Sequence, residues 1–252
     1  DHLPELDMRI RKFSPGVINE FDSLDELRGF DPLFLENLDS EIFDNIVAVL
    51  GCDKSEIRDV YPLKQGLTNL SCHFATDDGE WVYRHPGVGT ELIVDRQAEH
   101  EALQTAKLLG LDSTFVFENP RRGWKVSKFV TDAKNLDSHD DAQLERAMQM
   151  ARELHESGAS VGRSFSFYEE GKGYERAILD RGRIDVPDYW EMEGWATELN
   201  GLLLADGGAP VLNHNDFFGL NFLVSKDGHV ALIDWEYAGM SDYANDFGTF
   251  CV

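Results

Sequence analysis

Cysteine is scarce. Cys52, Cys72 and Cys251 are widely spaced and odd in number, so they form neither a disulfide framework nor a zinc-ligand pattern. They read as free thiols of a reducing cytoplasm. Positive charge is scarce as well: 23 Lys and Arg stand against 47 Asp and Glu, a formal net charge of -24. A field of that sign repels nucleic acid and anionic membrane, which are met by basic patches. Neither is expected as a partner, and a cationic ligand becomes easier to accept. No apolar run approaches the roughly 20 residues that cross a bilayer. The opening D1-H-L-P-E-L-D has no basic-then-apolar signal pattern and no initiator Met, so it need not be the natural start.

What is present is a globular composition. Of 252 residues, 42% are hydrophobic and 11% aromatic, enough for one large domain or two small ones with a real core. Residues 1–38 are mixed and acidic. The stretch from Asp39 to Gly51 reads as a helix, with Asp39 or Ser40 to cap it, Ile42, Phe43, Ile46, Val47 and Leu50 on one face, and Gly51 to stop it. Strands follow: 57–64, then 70–76 and 80–86 around an Asp77-Asp78-Gly79 turn, then 115–119 and 124–130 around Pro120–Gly123. A helix over 95–110 interrupts them. Beyond 130 the chain turns helical, over 140–158 and 186–205, the latter with Pro187 near its first turn. This order predicts an α+β fold of two lobes. Residues 39–130 form the antiparallel-sheet lobe and 131–252 a mainly helical one, with a cleft between.

The chemistry gathers near the end, in H214-N-D-F-F-G-L-N221 and H229-V-A-L-I-D234. Asp227-Gly228 is a strong two-residue hairpin signal. With that loop, Lys226 faces His229, Phe222 faces Ile233 and Asn221 faces Asp234. Side chains directly opposite stand about 4.5–5.5 Å apart, so an amide oxygen and a carboxylate could hold one hard cation between them. Such oxygen ligands suit Mg²⁺ that also carries substrate phosphates. Asp216, on the loop entering the first strand, can face the same spot and orient a hydroxyl. Taken singly, each residue has a plainer reading, an Asx turn or a strand-end cap; the spacing of all three favours a site.

These motifs resemble the catalytic segment of the kinase-like small-molecule phosphotransferases, a group that includes aminoglycoside phosphotransferases and choline/ethanolamine kinases. His214-Asn215-Asp216 with I233-D-W-E-Y-A-G239 is closer to the bacterial choline kinase branch. The resemblance runs from about 57 to 252 and implies a protein-kinase-like two-lobe fold. It implies transfer of the ATP γ-phosphate to the hydroxyl of a small cationic alcohol, choline first. Asp216 would take or orient the hydroxyl proton, and Asn221 and Asp234 would carry Mg²⁺. Gln65, Gly66, Thr68 and Asn69 fall where the family has its phosphate-covering loop. Arg84 would contact phosphate, supplying a fixed charge and a fork, held by Glu99, with Glu101 as the competing position. Lys128 and Val130 fall near the lobe connection, where backbone groups bind adenine. His214 and Asp246 would be structural. A quaternary ammonium is held by aromatic faces and carboxylates, which points to Trp235, Glu236 and Tyr237 for the substrate, with Tyr243, Trp190 and Trp195 as further candidates.

Two departures accompany the resemblance. The chain is expected to break off inside a helix at Phe250-Cys251-Val252, C-terminally truncated, where family members continue. I18-N-E-F-D-S-L-D-E-L-R28 resembles the closing segment of sugar-type nucleotidyltransferases, with Asp22 at their metal position. That implies the kinase part of a cytidylyltransferase–choline kinase fusion. The alternatives are a kinase of ethanolamine, an aminoglycoside or another small alcohol, or a non-catalytic module binding nucleotide or a cation.

Overall fold

The computed structural model describes residues 40–63, 69–87, 94–206 and 208–252, with three helical positions at Glu26, Leu27 and Gly29. Asp22, Gln65, Gly66 and Thr68 lie outside the described residues.

Helix α1 (Glu41–Leu50) buries Phe43 and Ile46. Ser40 takes its N-cap position, and Gly51 ends it in the left-handed conformation that glycine adopts without a Cβ penalty (φ 71°). Five antiparallel strands follow: β1 (Arg58–Leu63), β2 (Asn69–Thr76), β3 (Gly79–Pro86), β4 (Phe115–Glu118) and β5 (Lys125–Lys128), in the order β1-β2-β3-β5-β4. Alternation along the strands divides their side chains. Phe74, Tyr83 and Val126 join Phe43 and Ile46 of α1 in one apolar cluster. Ser71, Arg84, Lys125 and Glu118 form a row of facing residues across four strands. Helix α2 (Arg96–Leu109) connects β3 to β4; Asp95 caps it by accepting from the Gln97 and Ala98 amides, and Gly110 closes it.

The second half holds β6 (Lys134–Asn135), α3 (Asp141–His155), α4 (Phe167–Leu179), α5 (Tyr189–Asp206), β7 (Val211–Asn213), β8 (Phe222–Val224), β9 (Val230–Leu232), β10 (Gly239–Ser241) and α6 (Ala244–Phe250). One core ties the halves together. Ala102, Leu103 and Ala106 of α2 pack with Ala147, Met150, Ala151 and Leu154 of α3 and with Phe217, Phe222, Leu232 and Trp235. The last four are fully buried, worth about 2 kcal/mol each, so the segment carrying the polar motif is anchored at these four positions, while Phe218 and Leu220 stay exposed. Helix α5 stands apart: none of its residues is buried, and Trp190, Trp195, Leu199, Leu202, Leu203 and Leu204 are all exposed. It begins at Tyr189, two residues past Pro187. Helix α6 runs to Phe250, and the Cys251 amide still bonds back to the Phe247 carbonyl.

The hairpin register differs from the sequence expectation by one residue. Phe222 pairs with Leu232, Leu223 with Ala231 and Val224 with Val230. The Ser225 amide donates to the His229 carbonyl at 2.9 Å and the Gly228 amide to the Ser225 carbonyl at 3.0 Å. The loop is therefore the three residues Lys226, Asp227 and Gly228. A two-residue type I′ loop needs positive φ at both positions; Gly228 has it (82°) and Asp227 does not. The Asp227 carboxylate instead accepts from the Ser225 hydroxyl and the His229 amide. Lys226 does not face His229, Phe222 does not face Ile233, and Asn221 lies opposite Ile233, whose amide donates to the Asn221 carbonyl at 2.9 Å.

Candidate active site

The loop between β7 and β8 is held from beneath by one buried acid. Asp246, in the first turn of α6, accepts from the His214 amide (3.1 Å), the Asn215 amide (2.7 Å) and His155 Nε2 (2.8 Å). His214 is fully buried, and its ring packs on Trp235 with centroids 4.7 Å apart. Its Nε2 bonds the Ile233 carbonyl at 3.0 Å, and a carbonyl only accepts, so the proton sits on Nε2. Nδ1 is then the acceptor for the Asp216 amide at 3.3 Å. Asn215 adopts the left-handed backbone (φ 62°) that asparagine tolerates. Its side chain donates to the Tyr237 carbonyl and accepts from Ser241 and Asn245. His214, Asn215 and Asp246 are thus spent on shape.

Asp216 is the half-buried residue this scaffold presents. Its Oδ2 accepts from Asn221 Nδ2 at 2.7 Å, and the same amide nitrogen also donates to the Asp216 carbonyl at 2.8 Å. With Nδ2 committed twice, the Asn221 Oδ1 is turned away from Asp216, and among the described residues no donor reaches it. Among the described residues, no donor reaches the other Asp216 oxygen. Asp234 follows Ile233, the backbone partner of Asn221, and its own backbone is left-handed (φ 67°, ψ 60°). Strand alternation therefore stops at Asp234, and the register change does not by itself set the direction of its side chain. Its Oδ1 lies 3.6 Å from Arg84 Nη1, with the side chain 42% exposed. The oxygen donors of Asn221 and Asp234 fit a hard divalent cation.

Arg84 crosses from the sheet into this region. Glu99 Oε1 lies 2.5 Å from its Nη2, Glu118 Oε1 3.5 Å from the same nitrogen, and Glu236 Oε2 3.9 Å from Nη1. Burial alone would lower the guanidinium; Glu99, Asp234, Glu118 and Glu236 raise it overall. Among the described residues, no hydrogen-bond partner reaches Arg84 Nε or Nη1. A buried guanidinium with unspent donors is suited to a phosphate oxygen. Glu99, not Glu101, is the partner of Arg84: Glu99 is fully buried, whereas Glu101 bonds Gln97 and the Gly162 amide. Glu99 also meets Arg96 at 2.7 Å and Lys125 at 3.5 Å.

The remaining expected residues divide. Asn69 Nδ2 donates to Glu236 Oε2 at 3.0 Å, joining β2 to the segment after Asp234. Glu236 is thereby drawn into the Arg84 cluster and does not line a separate cation pocket. Burial, then Asp234, pushes its carboxyl up. Trp235 is fully buried, with its indole nitrogen bonded to the Leu232 carbonyl, so it is core and not a ligand wall. Tyr237 is half-buried, 6.3 Å edge-on from Phe165; burial, then the neighbouring Tyr174, raises its hydroxyl. Trp190, Trp195 and Tyr243 are exposed. Lys128 spends its amide on the Thr114 carbonyl and Phe129 on Glu80, leaving Val130 as the first residue beyond the sheet bonds. Phe165 and Tyr174 lie beside Tyr237 without having been expected there. The signal was available in the spacing of Phe167, Tyr174 and Ile178, which fall seven and eleven residues along one helical face.

A five-stranded antiparallel sheet whose β3 arginine meets a glutamate of the following helix, set on a helical half with a His-Asn-Asp loop, is the protein-kinase-like two-lobe architecture. Residues 59–252 match the phosphotransferase enzyme family known as APH, and the chain belongs to that family. The choline kinase LicA of Streptococcus pneumoniae is similar in structure: TM-score 0.72 and 27% identity, over 82% of this chain and 72% of that one. A choline/ethanolamine kinase family protein of Mesorhizobium loti gives TM-score 0.63 and 24% identity, over 83% of this chain and 69% of that one. Protein LicA of Haemophilus influenzae is 23% identical over 198 residues, which are 73% of this chain and 55% of that protein. The chain thus spans about half the length of that curated relative. Among the described residues, no helix is long and apolar enough to cross a membrane.

Proposed function

We propose that this chain carries the phosphotransfer site of an ATP-dependent choline kinase, producing phosphocholine and ADP. One observation carries the reading: the Asp234 carboxylate, two residues past β9, lies 3.6 Å from an arginine with unspent donors, while Asp216, on the loop that leads into β8, is bonded to Asn221. Asp216 accepts a hydrogen bond from the substrate hydroxyl through its open oxygen. It holds the hydroxyl oxygen in line with the γ-phosphorus and takes the proton as the new O–P bond forms and the bond to ADP breaks. Arg84 binds donor phosphate and Glu99 aims it. Asn221 and Asp234 would hold Mg²⁺, which supplies positive charge against the phosphates. Adenine lies against the backbone at 128–130, where the lobes meet. Tyr237 and its neighbour Tyr174 give the choline cation aromatic faces.

The similarity to the choline kinase LicA supports choline, and the three free thiols suit a cytoplasmic setting. Residues 1–38 belong, in this reading, to an upstream cytidylyltransferase domain. The test is ADP release from Mg-ATP with choline, ethanolamine and an aminoglycoside, on wild type and Asp216→Asn. Choline turnover should fall by about 10³-fold in the variant, with its melting curve retained. Equal turnover in the two proteins ends the assignment of Asp216. Preference for another alcohol moves the substrate, and nucleotide binding without turnover favours a non-catalytic module.

A further inference from the structure

Behind Arg84 stands chemistry that the reading above leaves unused. Arg84 and Lys125 face each other on neighbouring strands, and like charges so placed destabilise a sheet unless anions intervene. Glu99 of α2 supplies one, and a second acid, Glu118 of β4, lies directly opposite Lys125. Both are buried to 1% exposure or less. Their Oε1 atoms converge on the same nitrogen, Arg84 Nη2, at 2.5 Å and 3.5 Å.

The two acids are not equivalent. Glu99 is met by Arg84, Arg96 and Lys125. Glu118 faces Arg84 on β3, Lys125 on β5, and Glu99 and His100 on α2. Its Oε2, 3.5 Å from His100 Nδ1, has no hydrogen-bond partner among the described residues. Two carboxyls converging in a dry place hold one proton between them, and the acid facing fewer cations keeps it. The charge balance agrees. Burial, then Glu99, pushes Glu118 up to about 8. Glu99, which burial would also raise, is held down to about 2 by Arg84, Lys125 and Arg96.

We propose that Glu118 is a positioning residue for phosphoryl transfer: as a neutral acid it donates a hydrogen bond to Glu99, fixing the carboxylate that aims Arg84. When Glu118 loses its proton, a further negative charge stands beside the guanidinium and opposes the donor's phosphates. This inference rests on the phosphotransfer reading.

The experiment measures kcat and the KM for ATP across about pH 6 to 9 for wild type, Glu118→Gln and Glu118→Leu. In wild type the KM for ATP should climb about tenfold per pH unit above pH 8, with kcat changing less. Glu118→Gln carries a neutral group at every pH and should lack that climb. Glu118→Leu loses the hydrogen bond and should raise the KM for ATP about tenfold near neutrality. A climb in Glu118→Gln that matches wild type overturns the proposal. A second measurement needs no turnover: carbon-13 NMR of protein labelled at the glutamate carboxyls. One glutamate should titrate near pH 8 and vanish in Glu118→Gln; the lack of any such carboxyl overturns the proposal too. A wild-type chain that phosphorylates no alcohol defeats the phosphotransfer reading instead, and the carboxyl titration still decides the state of Glu118.

Discussion

Removing the carboxylate of Asp246 should damage the loop that carries Asp216 more than any single change at the loop itself. Asp246 is fully buried and accepts three hydrogen bonds, from two loop amides and from His155 at the end of α3. Asp246→Ala leaves two buried amides and the part-buried His155 donor unpaired. At about 1–3 kcal/mol for each orphaned group, with some relief from entering water, the loss comes to about 5 kcal/mol. That is a large share of the roughly 5–15 kcal/mol that holds a domain folded. It corresponds to a fall of roughly 10–20 °C in Tm for a chain of this size. Asp246→Asn is the informative companion. Oδ2 serves both His214 and His155, while Oδ1 serves Asn215. An amide can keep its oxygen on the first pair, and only the Asn215 amide then meets another donor. The loss should be about 2 kcal/mol, near that of one failed bond. Urea denaturation followed by tryptophan fluorescence measures both, since Trp235 packs on His214. If Asp246→Ala costs under about 1 kcal/mol, or no more than Asp246→Asn, the three bonds do not organise the loop and the reasoning fails.

Arg84→Met removes the cation around which Glu99, Glu118, Asp234 and Glu236 gather. It should destabilise by about 3–5 kcal/mol through the uncompensated buried charge. It should also raise the KM for ATP, measured by initial rates, by more than Arg84→Lys does. On the acid side, Glu99 has a folded value of about 2, below its ordinary value of 4.5. Its contribution to stability is present above about pH 4.5 and drains away as pH falls toward 2. Thermal melts at successive pH values should show Tm declining through that window in wild type and declining less in Glu99→Gln.

Much of the fold could be read from the chain because local signals agreed with the tertiary answer. Asp95 and Gly110 bracket α2 as cap and stop, and the two hairpins of the sheet fall at their turn residues. The candidate residues Asp216, Asn221 and Asp234 were legible as polar positions close to buried apolar ones. The pairing between them was not. Asp227-Gly228 is compatible with both a two-residue and a three-residue loop, and the choice turns on the φ of Asp227, which composition does not encode. Helix α4 was passed over because its apolar residues are only partly buried and its pattern is weak against the charged residues between them. Trp235 was assigned to the ligand because aromatic clusters look alike from sequence. Its burial depends on His214, twenty-one residues away, coming to lie beneath it. The Glu118–Lys125 opposition needs the β4–β5 register and could not be counted from either strand alone.

The contacts of Arg84 with Asp234 and Glu236 have a consequence for the order of events. Both acids come from the half of the molecule opposite the sheet, and both already lean on the group a polyphosphate would seek. In the phosphotransfer reading, a bare triphosphate would approach an arginine already flanked by two tethered carboxylates at 3.6 and 3.9 Å. Such a site would favour a donor that arrives with its own neutralising ion.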